Sequence, residues 1–384
     1  MSVWFTGSAV SAEVQATLAL SDAETGWLIT VVQLGFVVGT AVAAILNVAD
    51  LFPARRYFVF SALAAGVANG ALLFADGFAF AMMSRFTTGF FLAGVYPPGM
   101  KMAATWFRSG RGLAIGVVVG ALTLGKAFPY LIRSFDPGGL TTVVAMGSGA
   151  AVAAALLVGL LYNDGPYPFS RRPFSWGLVG QVVRHRETRL ATLGYLGHMW
   201  ELYAVWTAIA LFFFDYATGM GATRPDVMSA LGAFSVIGIG AVGAVVAGRW
   251  ADRWGKEEVA AAMMAISGAC ALTVGWMLAA PVPLVLAITL VWGFTVVADS
   301  AQFSALVTEV SPSHAAGTAL TLQTSVGFLL TMVTVQGLPP LARAWGWGPA
   351  FSILAIGPAL GILAMVRLKA ARSGAVRDPV RGET

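Results

Sequence analysis

At 384 residues the chain has room for about a dozen membrane spans of roughly 20 apolar residues each. Its 58% hydrophobic and 11% charged residues, with a mean hydropathy of +0.79, exclude a water-soluble globular protein, in which about a quarter of the residues are charged. The net charge of +5 sits on the connections between apolar runs and gives no reason to expect nucleic-acid binding, and the single cysteine, Cys270, excludes an internal disulfide. The 45 glycines and unalternating Ala/Leu/Val runs point to spanning helices rather than to the two-residue alternation of membrane strands.

In chain order, "SVWFTGSAVSAEV" reads as the outer end of a spanning helix whose first part is absent, and no cleavable signal peptide is evident. Eleven apolar runs follow, at about 26–48, 57–75, 78–99, 112–132, 140–162, 190–214, 227–248, 259–279, 282–306, 315–335 and 345–366. The longest connection, 163–189, divides the chain near its middle, and its apolar stretch around 176–183 predicts a short helix on the membrane surface. The expected organisation is therefore a first six-helix bundle over 1–162, a cytoplasmic central loop over 163–189, a second bundle over 190–367 and a basic tail over 368–384. Most of the 23 Lys and Arg residues fall on one side if the second-to-third connection is cytoplasmic, which puts both termini in the cytoplasm.

The two halves carry a weak internal repeat. "LNVADLFPARR" follows the second helix and "GRWADRWGKEE" the eighth; Asp50 and Asp252 stand 202 positions apart, and the Gly89-Phe90 and Gly293-Phe294 pairs 204 apart. The second stretch resembles the Gly-x-x-x-Asp-Arg-x-Gly signature loop of the major facilitator superfamily at Gly248, Asp252, Arg253 and Gly255. The first keeps Asp50, Arg55 and Arg56 but has Leu46 and Pro53 where glycines are expected, and "RFTTGFFLA" resembles the helix 4 pattern of the same family. The resemblance implies an all-α major facilitator fold, two six-helix bundles related by a pseudo-two-fold axis with the first helix truncated at its N-terminus. It also implies secondary transport by alternating access in a bacterial inner membrane. The signature loops would act as a conformational latch, with Gly255 providing backbone freedom and Asp252 pairing with a helix N-terminus or a base.

Substrate information is expected in the intramembrane charges, each of which needs a partner or a task. By helical rise, Arg85 and Lys126 lie at similar depth on adjacent antiparallel helices, roughly 10 Å from the outer surface, and together suit an anion or carboxylate. Gln33, Tyr130, Trp200 and Gln302 are further candidate substrate contacts. Glu201, near the midplane of the seventh helix, and Asp299 in the tenth are candidates for loading and releasing a proton, and His198, three positions before Glu201, shares its face. Structural alternatives stand beside these: Arg85 as a packing partner, Lys126 paired with Glu201 or with helix-end carbonyls, Asp299 in a polar network, His198 packed, and Trp200, Tyr203 and Trp206 as packing aromatics.

The helix 5 Gly-Pro pattern of the superfamily's antiporters is missing, as are the arginines of its nitrate porters, whereas "AGVYPPGMKMAATWF" and "GRGLAIG" resemble bacterial small-anion permeases of the cyanate-permease type. The reading is an anion and proton symporter acting as a monomer, with a small-molecule substrate, protons and the bilayer as partners, no nucleic acid, no cofactor and no metal site. A proton-coupled exporter of drugs or metabolites is the alternative. Copper import, suggested by Met100, Met102 and His198, and a transport-dead receptor rank lower, and no phosphate loop, nucleophile elbow or His/Cys cluster suggests an enzyme.

Overall fold

The computed structural model describes residues 1–46, 48–107, 111–136, 139–167 and 174–377, leaving aside the side chains of residues 49, 50, 104, 111, 112 and 374–377. Among the described residues, eleven helices are long and apolar enough to cross a membrane, as the apolar runs predict. They follow a short first helix, α1 (Ser2–Ala9). In order they are α2 (Asp22–Ile45), α3 (Ala54–Ala71), α4 (Phe78–Leu92, resumed as Tyr96–Ala104), α5 (Arg111–Phe135) and α6 (Leu140–Leu161). After the central connection come α7 (Arg186–Gly219), α8 (Pro225–Trp254), α9 (Lys256–Thr273), α10 (Val282–Ala298, resumed as Ser300–Val310), α11 (Ala316–Trp345) and α12 (Trp347–Leu354, resumed as Ile356–Arg377). A short helix stands in the central loop where the apolar stretch predicts one, at Trp176–Arg184, and the Ser175 amide before it donates to Thr318 Oγ1 of α11 (2.9 Å).

Local sequence explains where these helices begin and end. α2 opens on a capping box in which Ser21 Oγ accepts from the Glu24 amide and Glu24 Oε2 accepts from the Ser21 amide (2.8 Å). α8 begins with Pro225 at its first position and ends at Gly255, whose φ of 99° lies where side chains are disfavoured. α10 breaks at Asp299, the junction of its two segments.

Glycines set the tightest helix contacts, and these occur twice. A Cβ on Gly89 would overlap the carbonyl oxygen of Val32, and one on Gly39 that of Phe90, so α2 and α4 touch backbone to backbone. Each of these four positions recurs 204 places later: a Cβ on Gly293 would overlap the Val236 oxygen and one on Gly243 that of Phe294, joining α8 to α10 in the same way. The repeat glimpsed in the sequence is thus a repeat of packing.

Helices of the first and second half meet along two antiparallel seams. On one, Gly116 and Gly120 of α5 bring that helix against the backbone of α8 at Ala244 and Ala241. On the other, α2 meets α11 through Phe36 and Phe328 (ring centroids 4.6 Å apart), Gln336 Nε2 donating to Thr30 Oγ1 (2.7 Å), and Arg343 facing Asp22 (3.4 Å). The aromatic centre between these seams, contributed by α1, α2, α5, α7 and α11, holds the site described next.

Candidate functional site

Lys126 projects from α5 into the space between α1 and α7. Its ammonium donates to Tyr203 Oη and lies 5.2 Å from the ring centroid of Trp4, 4.4 Å from that of Tyr203 and 4.5 Å from that of Trp206. Three ring faces therefore take the place of a counter-ion, each attracting the cation through its quadrupole. The side chain is 3% exposed, and the acids that form ion pairs among the described residues all do so elsewhere. Around this cage the rings of Phe5, Phe36 and Phe328 pack on Trp4, Tyr203 and Trp206 at centroid distances of 5.1 to 6.1 Å, and Phe36 packs on Phe328 at 4.6 Å. The indole nitrogens of Trp4 and Trp206 are buried without a partner, and Tyr130 Oη reaches the Trp206 carbonyl at 3.4 Å. Among the described residues the site has one side-chain cation, unmet N–H donors and no acid, a combination that invites an anion.

Arg85 does not share that cage, contrary to the expectation of two cations facing one substrate. Its Nη1 donates to the Val3 carbonyl (2.9 Å) and to Asn69 Oδ1 (3.0 Å), and its Nη2 to the Trp4 carbonyl (2.5 Å). Asn69 in turn donates to Ser148 Oγ (3.0 Å), so the guanidinium joins α4 to α1, α3 and α6. Helical rise predicts similar depth for the two cations but carries no information on direction. Arg85 touches the Lys126 site only through Trp4, whose carbonyl it holds and whose ring Lys126 covers.

The acids lie on the opposite face of α7, inside the second half. Glu201 Oε1 accepts from Trp292 Nε1 of α10 (2.7 Å), and the carboxylate lies near Asp299. His198 Nδ1 sits 2.8 Å from Asp299 Oδ1 and its Nε2 2.9 Å from Ser300 Oγ, so it partners Asp299 and not Glu201. All three side chains are 2% exposed. The alternative pairing of Lys126 with Glu201 is not formed, because residues two apart on a helix point about 200° from one another and Tyr203, not Glu201, faces α5.

The other expected contacts separate. Trp200 faces α12, its Nε1 donating to the Ile353 carbonyl (3.2 Å), rather than the cage. Gln33 lays its amide against the Ile29 and Thr30 carbonyls of its own helix (3.1 and 2.8 Å), and Gln302 Nε2 returns to the Ala298 carbonyl (3.2 Å), leaving its buried Oε1 without a partner. Tyr130 alone of these joins Lys126 at the centre. Trp4, Phe5, Phe36 and Phe328 were not singled out in the sequence; the signal was an intramembrane lysine, Lys126, among aromatic-rich helices, and Trp4 hid in a helix too short to register as a span.

At the signature loop Gly248 is buried in α8 and Gly255 makes the turn, but Asp252 and Arg253 point outward as exposed residues. The pairing expected of Asp252 is made instead by the residues that follow: Lys256 pairs with Glu309 (2.8 Å) inside the second bundle, and Glu258 with Lys369 (2.7 Å) and Glu257 with Arg372 on the start of the expected tail, which continues α12 to Arg377. In the first half Arg55 donates to the Gly159 carbonyl at the end of α6, while the side chain of Asp50 lies outside the described residues.

No curated protein matches the chain. The family model described as Major Facilitator Superfamily matches residues 1–335. That match covers most of the length, and with it stand the eleven spans and the α2–α4 contact repeated between α8 and α10. The chain is a multi-pass membrane transport protein of the major facilitator superfamily.

Proposed function

We propose that this transporter carries a small anion or carboxylate, coupled to protons, by alternating access, with Lys126 as the counter-charge of the substrate. The observation that supports this reading is the Lys126 ammonium, buried at the seam of α1, α5 and α7 with rings but, among the described residues, no acid around it. A buried charge without a counter-ion is costly, and a substrate anion relieves that cost only while bound. Residues 1–162 and 190–367 serve as the two rocking halves, 163–189 as their cytoplasmic connector and 368–384 as a cytoplasmic tail. The protein acts as a monomer in a bacterial inner membrane, oriented with its basic loops and both termini in the cytoplasm.

Glu201 is the leading proton carrier and Asp299, paired with His198, its helper. α7 presents Glu201 and His198, the latter against Asp299 of α10, away from the face of Tyr203 that meets Lys126, so a proton gained or lost on the acid side can rotate or shift the helix that walls the substrate. The test is uptake into proteoliposomes. Lys126→Ala removes saturable anion uptake and Lys126→Arg retains part of it; Glu201→Gln keeps anion exchange but loses accumulation driven by a pH gradient. Unchanged affinity in Lys126→Ala removes the anion argument, and undiminished accumulation in Glu201→Gln moves the proton role elsewhere. The second reading, a proton-coupled exporter of drugs or metabolites, draws on the ring-lined wall; stabilisation by lipophilic cations in place of anions would establish it.

A further inference from the structure

We infer that the transported anion is a flat-bodied organic monoanion, a monocarboxylate whose apolar plane lies among the rings around Lys126. This rests on the anion reading above and narrows it. Three independent features of the site carry the inference.

The first is charge count. Among the described residues Lys126 is the one side-chain cation of the cage: the terminal nitrogens of Arg85 are engaged by the Val3 and Trp4 carbonyls and by Asn69. A monoanion neutralises one ammonium, whereas a dianion such as hydrogen phosphate would leave a net negative charge in low dielectric. The second is hydrogen-bond polarity. With Tyr203 Oη accepting from Lys126, its own proton is free to donate, and the indole N–H groups of Trp4 and Trp206 are buried and unpartnered. These groups and the ammonium are all donors, which matches the acceptor-only oxygens of a carboxylate and leaves the O–H protons of a sugar or the N–H groups of an amine without an acceptor.

The third is the shape and chemistry of the wall. Trp4, Phe5, Phe36, Tyr203, Trp206 and Phe328 form one continuous ring cluster, with neighbouring centroids 4.6 to 6.1 Å apart. A small inorganic monoanion would meet Lys126 but leave these faces idle, and its desolvation would go uncompensated. A planar apolar body inserts between rings in offset or edge-to-face contact when the halves part, with its carboxylate exchanging the ring faces for direct contact with the ammonium. Trp4 and Phe5 come from α1, Phe36 from α2, Tyr203 and Trp206 from α7 and Phe328 from α11, so the body would be gripped by both halves.

The experiment uses the full chain purified in detergent. Thermal stabilisation is measured against concentration for benzoate, acetate, nitrate and phosphate with the unaltered protein and with Lys126→Ala, Trp206→Leu and Trp4→Phe. The expected result is benzoate binding about tenfold or more tighter than acetate, from ring contacts of ordinary strength. Lys126→Ala abolishes both, and Trp206→Leu brings benzoate towards acetate. Trp4→Phe, which keeps a ring and removes an N–H, weakens both probes alike and serves where Trp206→Leu does not fold. Equal binding of benzoate, acetate and nitrate, lost in Lys126→Ala, overturns the flat-body inference while the anion reading stands. Tighter binding of phosphate overturns the charge count. Benzoate binding unaffected by Lys126→Ala is apolar partition and overturns the inference, and stabilisation by none of the four anions ends the anion reading itself.

Discussion

Arg85 and Lys126 are both fully buried cations of the first half, yet their surroundings assign them different work. Arg85 presents a planar fork to three oxygens on two other helices, a geometry that a guanidinium fits and a point-charge ammonium does not. Arg85→Lys is therefore expected to lower the stability of the detergent-solubilised protein by about 1–3 kcal/mol, since buried acceptors lose their donors. The KM of the protein that remains folded should be unchanged. A raised KM with unaltered thermal stability would return Arg85 to the substrate. Lys126 has the opposite profile, because what surrounds it is polarisable ring surface and unpaired donors, so its replacement should act on binding. The presence of both cations inside the membrane was legible in the sequence from their cost alone. Their targets were not, because α4, α5 and α7 are apolar on nearly every side and offer no polar stripe from which to read the direction of a given side chain. Glu201 and Tyr203 show the consequence: two positions along one helix separate the acid face from the cage, and depth alone had made Glu201 a partner for Lys126.

Helix contacts without side chains explain why the chain needs its glycines where they are. At Gly89 and Gly293 the neighbouring backbone oxygen occupies the space a Cβ would fill, and oxygen on a helix backbone has no rotamer by which to move aside. Gly89→Ala and Gly293→Ala are each expected to destabilise by about 1–3 kcal/mol, or to prevent folding, because the helix pair has to spread. Gly26→Ala, in α2 with nothing within 4 Å of its new Cβ, is expected to be neutral or to stabilise by up to about 1 kcal/mol. Thermal unfolding of the three variants in one detergent decides this; a Gly26 variant as weak as the other two would mean that glycine flexibility, not clearance, is what matters. At this scale the sequence was informative. Run length and turn residues placed the spans, so that the runs expected from 140 and from 282 begin as helices at those positions, and the short helix of the central loop was found where its apolar stretch predicted. The breaks in α4 and α10 were not foreseen, for Asp299 read as a residue within a continuous helix and stands instead at the joint between two.

The whole molecule is closed around the cage. On one side of Lys126 the α2–α11 seam is held by Phe36 on Phe328, Thr30 with Gln336, and Asp22 with Arg343; towards the side of the signature loop, Gly116 and Gly120 bring α5 onto α8. The charged network at residues 256–258 braces the second half internally and does not bridge to the first, so it leaves the halves free to move as units. Access to a substrate buried at Lys126 then requires one seam to part, and the α2–α11 seam is the more weakly held: it lacks the glycine-mediated backbone contact of α5 with α8, and its polar links among the described residues are a neutral hydrogen bond and an exposed ion pair, each worth about 1 kcal/mol or less. Duplicate helix packing within each half, with the α2–α4 contact repeated between α8 and α10, suits rigid-body rocking of the halves. If that seam is a gate, a tether across it stops the cycle. Thr30→Cys with Gln336→Cys, bridged by a short bifunctional thiol reagent with a cleavable spacer, is expected to abolish uptake in proteoliposomes and to recover it when the spacer is cut. The single native cysteine, Cys270, is buried and should not compete for the reagent. Either single-cysteine protein treated in the same way should transport normally. Full transport by the tethered double variant would show that α2 and α11 stay together throughout the cycle, and the moving seam would then have to be the glycine-lined contact of α5 with α8.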